Sequence, residues 1–348
     1  MRDLIEDRKP FGEARDALRE RIANRVRRKL ELRGRFLSDT ATRKIARGKQ
    51  SRLFAEGIWP ALKPKDLLTR LYTDPEYLAQ CAQGVLTEEE QQALHSDSRP
   101  KWTRADHVLL DEIAAFLDEP PTFGHVVLDE AQDLSAMQLR AVARRCAGTA
   151  TILGDLAQQT TPWGLPSLQD ILKTLGHPGE IVTLNTSYRV PQQILDIANR
   201  LLGEIAPDLP TTTSARQATD AVDVIELANL KAVARTLAET VHKLPIDKGS
   251  VGVIAADPDV EPLRKALKAE GVDPVNGDEI DRERRLALIP VGTVKGMEFD
   301  CVVIVDPHRV IQMGETGLRL LYVALTRANS QLTIVHTEAL PDALGLTA

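Results

Sequence analysis

The residue types most able to do chemistry in this 348-residue sequence cluster where an apolar run ends in carboxylates, Val126-Val-Leu-Asp129-Glu130-Ala-Gln132-Asp133. Adjacent acids at the end of a strand suit metal-assisted phosphoryl transfer. One carboxylate holds Mg²⁺, usually through water, and its neighbour orients or deprotonates the attacking water. Asp129 and Glu130 would take those parts, although an isolated acidic strand end is more often a helix cap or a solvated turn. A second run, Thr151-Ile-Leu-Gly154-Asp155-Leu-Ala-Gln158, also ends in polar groups, and the Gln158 amide could sense a γ-phosphate. Leu184-Asn-Thr-Ser-Tyr188-Arg189 sets a ring beside a cation, suited to stacking on a base and meeting phosphate. Thr293-Val-Lys295-Gly296-Met-Glu298-Phe-Asp300 and Leu320-Leu-Tyr322-Val-Ala-Leu-Thr326-Arg327-Ala328 follow. Each block means little alone, but the ordered set is specific.

The elements that must carry these blocks change character along the chain. From residue 125 on, short apolar runs alternate with amphipathic stretches of helical period. The runs fall at 125–128, 151–153, 181–184, 222–227, 251–255, 288–291, 301–305 and 332–336. Such runs read as strands buried on both faces, and the alternation predicts parallel sheets covered by helices, divided into two sheets with a break near 176–183. Before residue 118 nothing reads as strand. Apolar residues four apart at Leu18, Ile22, Val26 and Leu30, with no proline, predict a helix from Phe11 to about Ile45 that pairs with one helix or crosses between lobes. A further helix should start near Asp66, and Thr87 with Glu90 forms a capping pattern. The expected organisation is a helical region over 1–118, a partial α/β lobe over 119–180 and a second lobe over 181–348.

The succession from the Asp-Glu-Ala-Gln box to the Leu-Tyr-Val-Ala-Leu-Thr-Arg-Ala box resembles the later motifs of UvrD/Rep-like superfamily 1 helicases over residues 125–336. The resemblance implies two RecA-like lobes, the first incomplete, with ATP and Mg²⁺ between them. It implies that Asp129 binds Mg²⁺, Glu130 activates water and Gln158 and Arg189 meet the γ-phosphate. It also places Tyr188 on adenine, Glu298 on ribose with Gly296 beside it, and Arg327 as an arginine finger. The Trp59-Pro-Ala-Leu-Lys-Pro and Trp102-Thr-Arg-Ala-Asp106 segments are similar to the HelD branch, motors that act on RNA polymerase. The absence of room for a large insertion between Val190 and Leu288 favours the same branch over the repair helicases. RNA polymerase is therefore the expected target, with a DNA helicase or translocase and a non-enzymatic binding module as alternatives.

Departures from the family pattern are specific. The Gly-rich loop ending Gly-Lys-Thr or Gly-Lys-Ser, which cradles phosphates, is missing; Gly48-Lys49-Gln50 has neither the hydroxyl nor the strand-loop-helix setting. The chain is expected to be the C-terminal part of such a motor and inactive alone. Ser187 and Gly292 stand where the family has asparagine and histidine. Trp163, nine residues after Gly154, has the spacing of an aromatic that stacks on single-stranded nucleic acid, but here it precedes glycine rather than arginine, and packing against the lobe is the competing expectation.

Charge is segregated: residues 1–52 carry a balance of +9 and the remainder −15. A basic segment of this kind can meet nucleic acid or an acidic protein surface, or be the solvated face of long helices. No run is long enough to span a membrane, and the first eight residues are not followed by an apolar export segment, so a cytoplasmic location is expected. Cys81, Cys146 and Cys301 lack metal-ligand spacing and read as reduced core or near-core residues.

Overall fold

The computed structural model describes residues 11–243, 249–280 and 285–346. The export reading of the first eight residues, and the first ten residues of the basic segment, lie outside them. The chain forms two compact units. The first takes Met1–Val127, Ser135–Thr151 and Lys173–His177, and the second takes Leu128–Leu134, Ile152–Leu172 and Pro178–Ala348.

The first unit begins with helices α1 (Phe11–Glu31), α2 (Asp39–Arg47) and α3 (Lys49–Ile58), which pack on one another. The single helix expected from Phe11 to about Ile45 is thus broken. Gly34 takes a positive φ of 75° that ordinary residues avoid, and the Ser38 hydroxyl then accepts from Ala41 N (3.2 Å) to start α2. The buried residues of α1 are Ala14 and Ala23, nine apart and so on opposite sides of the helix, whereas the Leu18, Ile22 and Leu30 stripe is half-buried and Val26 is exposed. Small residues at these two positions let neighbouring segments come close. Four more helices follow: α4 (Pro64–Thr73), α5 (Pro75–Ala82), α6 (Glu88–Leu94) and α7 (Arg104–Leu117). Pro64, in the first turn of α4, sets the start expected near Asp66. Thr87–Glu90 and Thr103–Asp106 both form capping boxes, and Tyr72 Oη donates to Asp106 Oδ1 (2.7 Å) to tie α4 to α7.

Strands β1 (Phe123–Leu128) and β2 (Cys146–Ile152), joined through helix α8 (Ala136–Ala143), form a two-stranded sheet. The expectation that both are buried on both faces fails here, because most of their residues are exposed, Phe123 and Val127 among them. No further strand extends this pair among the described residues, and its faces stay largely open to solvent. Helix α9 follows over Leu168–Leu175. The run at 181–184 is not a strand: no described segment pairs with it, and Leu184 is 85% exposed. An apolar run becomes a strand only where a neighbour takes its hydrogen bonds. Pairing begins just beyond, where β3 (Thr186–Ser187), followed by α10 (Gln192–Ile205), meets β4 (Thr213–Ser214) in parallel.

The second unit is built on β5 (Val222–Glu226), α11 (Leu230–Lys243), β6 (Val251–Ala255), α12 (Val260–Ala269), β7 (Leu286–Pro290), β8 (Phe299–Val305), α13 (Pro307–Ile311), α14 (Glu315–Leu325) and β9 (Ala328–His336). The strands form one parallel sheet in the order β5-β9-β8-β6-β7. Side chains alternate between two cores, as the pleat requires. Ile254, Ile304 and Ile334 pack with α10 and α14 on one face, and Val253, Val303 and Val335 pack with α11 and α12 on the other. This is the covered parallel α/β sheet that the continuous apolar runs predict. No described helix is long and apolar enough to cross a membrane. Cys81 is exposed rather than near-core, while Cys146 and Cys301 are half-buried.

Candidate functional site

All the candidate residues belong to the second unit. The chain leaves β1 through Asp129 and Glu130, and Glu130 sits in the left-handed region at φ 54°, ψ 37°. For a residue with a Cβ that conformation costs about 1–2 kcal/mol. Surrounding bonds hold it. Glu130 N donates to Asp129 Oδ1 (2.8 Å), Ala131 N to Leu153 O (3.0 Å) and Gln132 Nε2 to Glu130 Oε2 (2.7 Å). Gln132 is completely buried, and its Oε1 accepts from Asp155 N (3.0 Å). The two acidic turns are therefore spliced through one amide. Gln132→Ala is expected to leave Asp155 N and Glu130 without that partner and to cost about 1–3 kcal/mol, measured by urea unfolding. A loss no larger than that of an exposed glutamine would show that water replaces the amide.

Asp155 organises the next turn. It accepts from Ala157 N (2.9 Å) and from Gln158 Nε2 (2.8 Å), so the Gln158 amide is held from its donor side. From the acceptor side, Arg327 Nη2 donates to Gln158 Oε1 (3.0 Å). Arg319 of α14 steadies the same turn by donating to Leu156 O (2.9 Å).

Arg327 is buried where α14 passes into β9, and its backbone carbonyl accepts from Phe299 N (3.0 Å) at the start of β8. Its guanidinium also donates to Val323 O (3.1 Å), Met297 O (3.4 Å) and Thr326 Oγ1 (3.2 Å). Burial lowers its pKa below the ordinary arginine value. The field of Glu130 acts in the opposite direction and that of Arg189 in the same one. An arginine lowered from so high a value stays charged at neutral pH.

Lys295 sits on the connection between β7 and β8, and Gly296 after it takes φ 80°, the conformation that lets the turn reverse toward Glu298. The Lys295 ammonium pairs with Asp133, lies 3.2 Å from Glu130 Oε2 and donates to Gln158 O (2.7 Å). Asp133 further accepts from Thr160 N (3.1 Å) at Oδ1, while its carbonyl accepts from Thr161 Oγ1 (3.1 Å) and from the Trp163 indole Nε1 (3.0 Å).

Among the candidates, Glu130, Gln158 and Arg327 are thereby brought into one network. Arg189 and Glu298 form an ion pair of their own, next to Met297, whose carbonyl Arg327 holds. Asp129 is exposed and contacts only the Glu130 amide among the interactions described, and Tyr188 is exposed with no described partner. Trp163 is 57% exposed and its indole N–H is tied to the Asp133 carbonyl of the same unit. Sequence reasoning gave no role to Gln132, Asp133, Asp155, Lys295 or Arg319. The only advance signal was that Gln132 and Asp133 continue the acidic box and Lys295 precedes Gly296.

The carboxylates already face a cation, the Lys295 ammonium, so the site takes positive charge beside Glu130 and Asp133. It presents one buried guanidinium and a clamped glutamine amide, a set able to meet an anion and a metal ion together.

No curated protein matches the chain. Among solved structures, the C-terminal domain of a possible DNA helicase from Lactobacillus plantarum WCFS1 is 25% identical. The alignment covers 45% of this chain and 92% of that one, with a TM-score of 0.36. Residues 286–335, which run from β7 into β9 and carry Lys295, Glu298 and Arg327, match the family model of the UvrD-like helicase C-terminal domain.

Proposed function

We propose that this chain is the part of a superfamily 1 helicase-type ATPase that holds the acidic box, the sensing glutamine and the arginine finger but not the phosphate-binding loop, and that its target is nucleic acid. The observation that supports this reading is the Arg327–Gln158 bond within the Lys295, Glu130 and Asp133 cluster, because it preorganises a positive charge and a polar sensor beside the acids. ATP would supply the phosphoryl group and Mg²⁺ the charge that Asp129 would hold. Glu130 would orient water, Arg327 and Gln158 would face the γ-phosphate, Tyr188 would stack on the base, and Glu298, next to Gly296, would meet the ribose. Arg189 and Glu298 would first have to exchange their mutual ion pair for phosphate and ribose. The exchange is cheap, because exposed pairs contribute only about 0–1 kcal/mol.

Positioning supplies most of the catalysis in phosphoryl transfer, so a chain with no phosphate cradle should bind weakly and turn nothing over. A fluorescent ATP analogue with Mg²⁺ is expected to bind saturably with Kd on the order of 1 mM, about −4 kcal/mol, and to weaken severalfold in Arg189→Ala and Glu298→Ala. Absence of saturable binding would remove the nucleotide reading. Turnover at the rate of an intact motor, abolished by Glu130→Gln, would show that some other segment does the work of the loop.

RNA polymerase, the target of HelD-like motors, is the second reading, favoured by the −15 balance outside residues 1–52, which repels a phosphate backbone. Retention of the chain on core polymerase at salt concentrations that release it from single-stranded DNA would install that reading in place of the first.

A further inference from the structure

A surface helix ordinarily turns its apolar stripe toward the core and its charges toward water. Helix α3 of the first unit does the reverse. The residues by which it holds to its own unit are small or charged. Ser51 and Ala55, one turn apart, are buried, and Glu56 pairs with Arg15 of α1 while accepting from Ala61 N (2.9 Å). Just past the helix end, Trp59 O accepts from Arg15 Nε (3.0 Å), and the Trp59 ring meets the edge of Phe11 with centroids 5.4 Å apart. The large apolar side chains point the other way: Leu53, Phe54 and Ile58 are 58%, 60% and 42% exposed, and Gly57 among them is exposed too. At 100° per residue these four positions span about 140° of the helix circumference, so they form one continuous face.

Gly57 marks that face as a place of close approach. Glycine in a helix interior is destabilising, and the packing of this unit does not call for it, because a Cβ built there meets no atom within 4 Å. Its missing side chain leaves a notch walled by Leu53, Phe54 and Ile58, and such a notch takes a side chain from a second helix lying alongside.

Charge decides which helix fits. Lys49 lies one turn before Leu53 on the same face, and Lys63 and Lys65 follow the helix end. All three are exposed without an ion-pair partner among the described residues, and the one acid of α3, Glu56, is already paired with Arg15. A second copy of α3, laid parallel or antiparallel, would set lysines against lysines. Unpaired bases need rings to stack on, and this face has one ring among aliphatic side chains. An apolar row with basic ends is complemented by an apolar row with acidic ends.

We propose that the outer face of α3 is a docking site for an amphipathic helix of another protein, whose apolar row lies along Leu53, Gly57 and Ile58 and whose flanking carboxylates meet Lys49 and Lys63. The proposal concerns the first unit alone and needs no nucleotide, so it stands or falls apart from the ATPase reading.

The test is fluorescence anisotropy of a labelled helical peptide, with leucines at every third and fourth position and glutamates on both sides of them, titrated with the full chain. Saturable binding is expected with Kd on the order of 10 μM. The same peptide with lysines in place of the glutamates should bind roughly tenfold more weakly, and the variant Lys49→Glu/Lys63→Glu should reverse that order. Phe54→Ala and Ile58→Ala should each weaken binding roughly tenfold. Gly57→Leu should weaken it by as much while leaving the thermal midpoint of the chain unchanged or higher, because leucine is the better helix former and has open space at this position. Absence of saturable binding, full binding by Gly57→Leu, or equal binding of a peptide with the same residues in scrambled order would overturn the proposal. So would a concentration-dependent dimer in sedimentation velocity that Phe54→Ala dissolves, which would assign the face to a second copy. Displacement of the peptide by oligodeoxythymidine or by phosphatidylserine vesicles would likewise overturn it, in favour of nucleic acid or a lipid surface.

Discussion

Asp133→Ala is expected to destabilise the second unit by about 2–4 kcal/mol, because it removes one partner of a largely buried ion pair and leaves the other behind. The side chains of Asp133 and Lys295 are only 18% and 17% exposed. The remaining ammonium would keep Glu130 Oε2 at 3.2 Å and Gln158 O at 2.7 Å, which limits the loss, but Thr160 N would lose its acceptor. The apolar pair Asp133→Leu/Lys295→Met should recover a large part of the loss, since isosteric apolar replacement of a buried pair is often neutral. The readout can be local. The sequence has three tryptophans, and replacing Trp59 and Trp102 by phenylalanine leaves Trp163, whose indole donates to the Asp133 carbonyl. Its emission during urea unfolding then follows the second unit without assuming that both units unfold together. A single-variant loss below about 0.5 kcal/mol, typical of a surface pair, would show that the pair is solvent-bridged. A double variant no better than the sum of the singles would show that the two residues are not coupled.

The pair also shows where sequence reading stopped. Strands β6, β7, β8 and β9 were legible because burial on both faces leaves a continuous apolar run, and burial on both faces is what a covered parallel sheet imposes. The run at 181–184 carries the same signature but no pairing neighbour, and β1 and β2 pair without being covered. Composition cannot report the presence of a neighbour. The break between α1 and α2 was written in Gly34 and Ser38, yet the apolar residues four apart up to Leu30 and the lack of proline beyond them masked it. At the site, motif order pointed to Glu130, Gln158 and Arg327 as residues of interest, and the structure places them in one network. Lys295 lies 162 residues from Asp133, and nothing local in either segment announces that an ammonium will sit among these acids. Gln132 is a similar case: a glutamine in an acidic box reads as polar surface, and only the fold reveals that it is the buried splice between two turns.

Arg327→Lys, conservative in charge, is expected to be among the most damaging substitutions in the chain, and its cost should depend on pH. The guanidinium reaches four acceptors, Val323 O, Met297 O, Gln158 Oε1 and Thr326 Oγ1, through a planar fork that an ammonium with three rotating donors cannot reproduce. Two or more of those acceptors would be left without a donor, which at about 1–3 kcal/mol for each buried unsatisfied group gives a loss of roughly 3 kcal/mol at pH 7. Burial at this position already holds the arginine below its ordinary pKa. The same burial acts on a lysine whose ordinary value is about 10.4, so the folded variant would give up its proton at lower pH than the unfolded chain does. Between the lowered folded value and about 10.4 the unfolded state then binds more protons, and stability rises with pH. The deficit of Arg327→Lys relative to the parent should therefore shrink as pH is raised from 7 toward 10, while Arg327→Met, which has nothing to titrate, should show a constant deficit over the same range. Parallel urea titrations of the parent and both variants at pH 7, 8.5 and 10 would decide it. A lysine deficit that is flat or grows with pH would mean that the ammonium reaches water, and that the pocket around Arg327 is more open than its hydrogen bonds indicate.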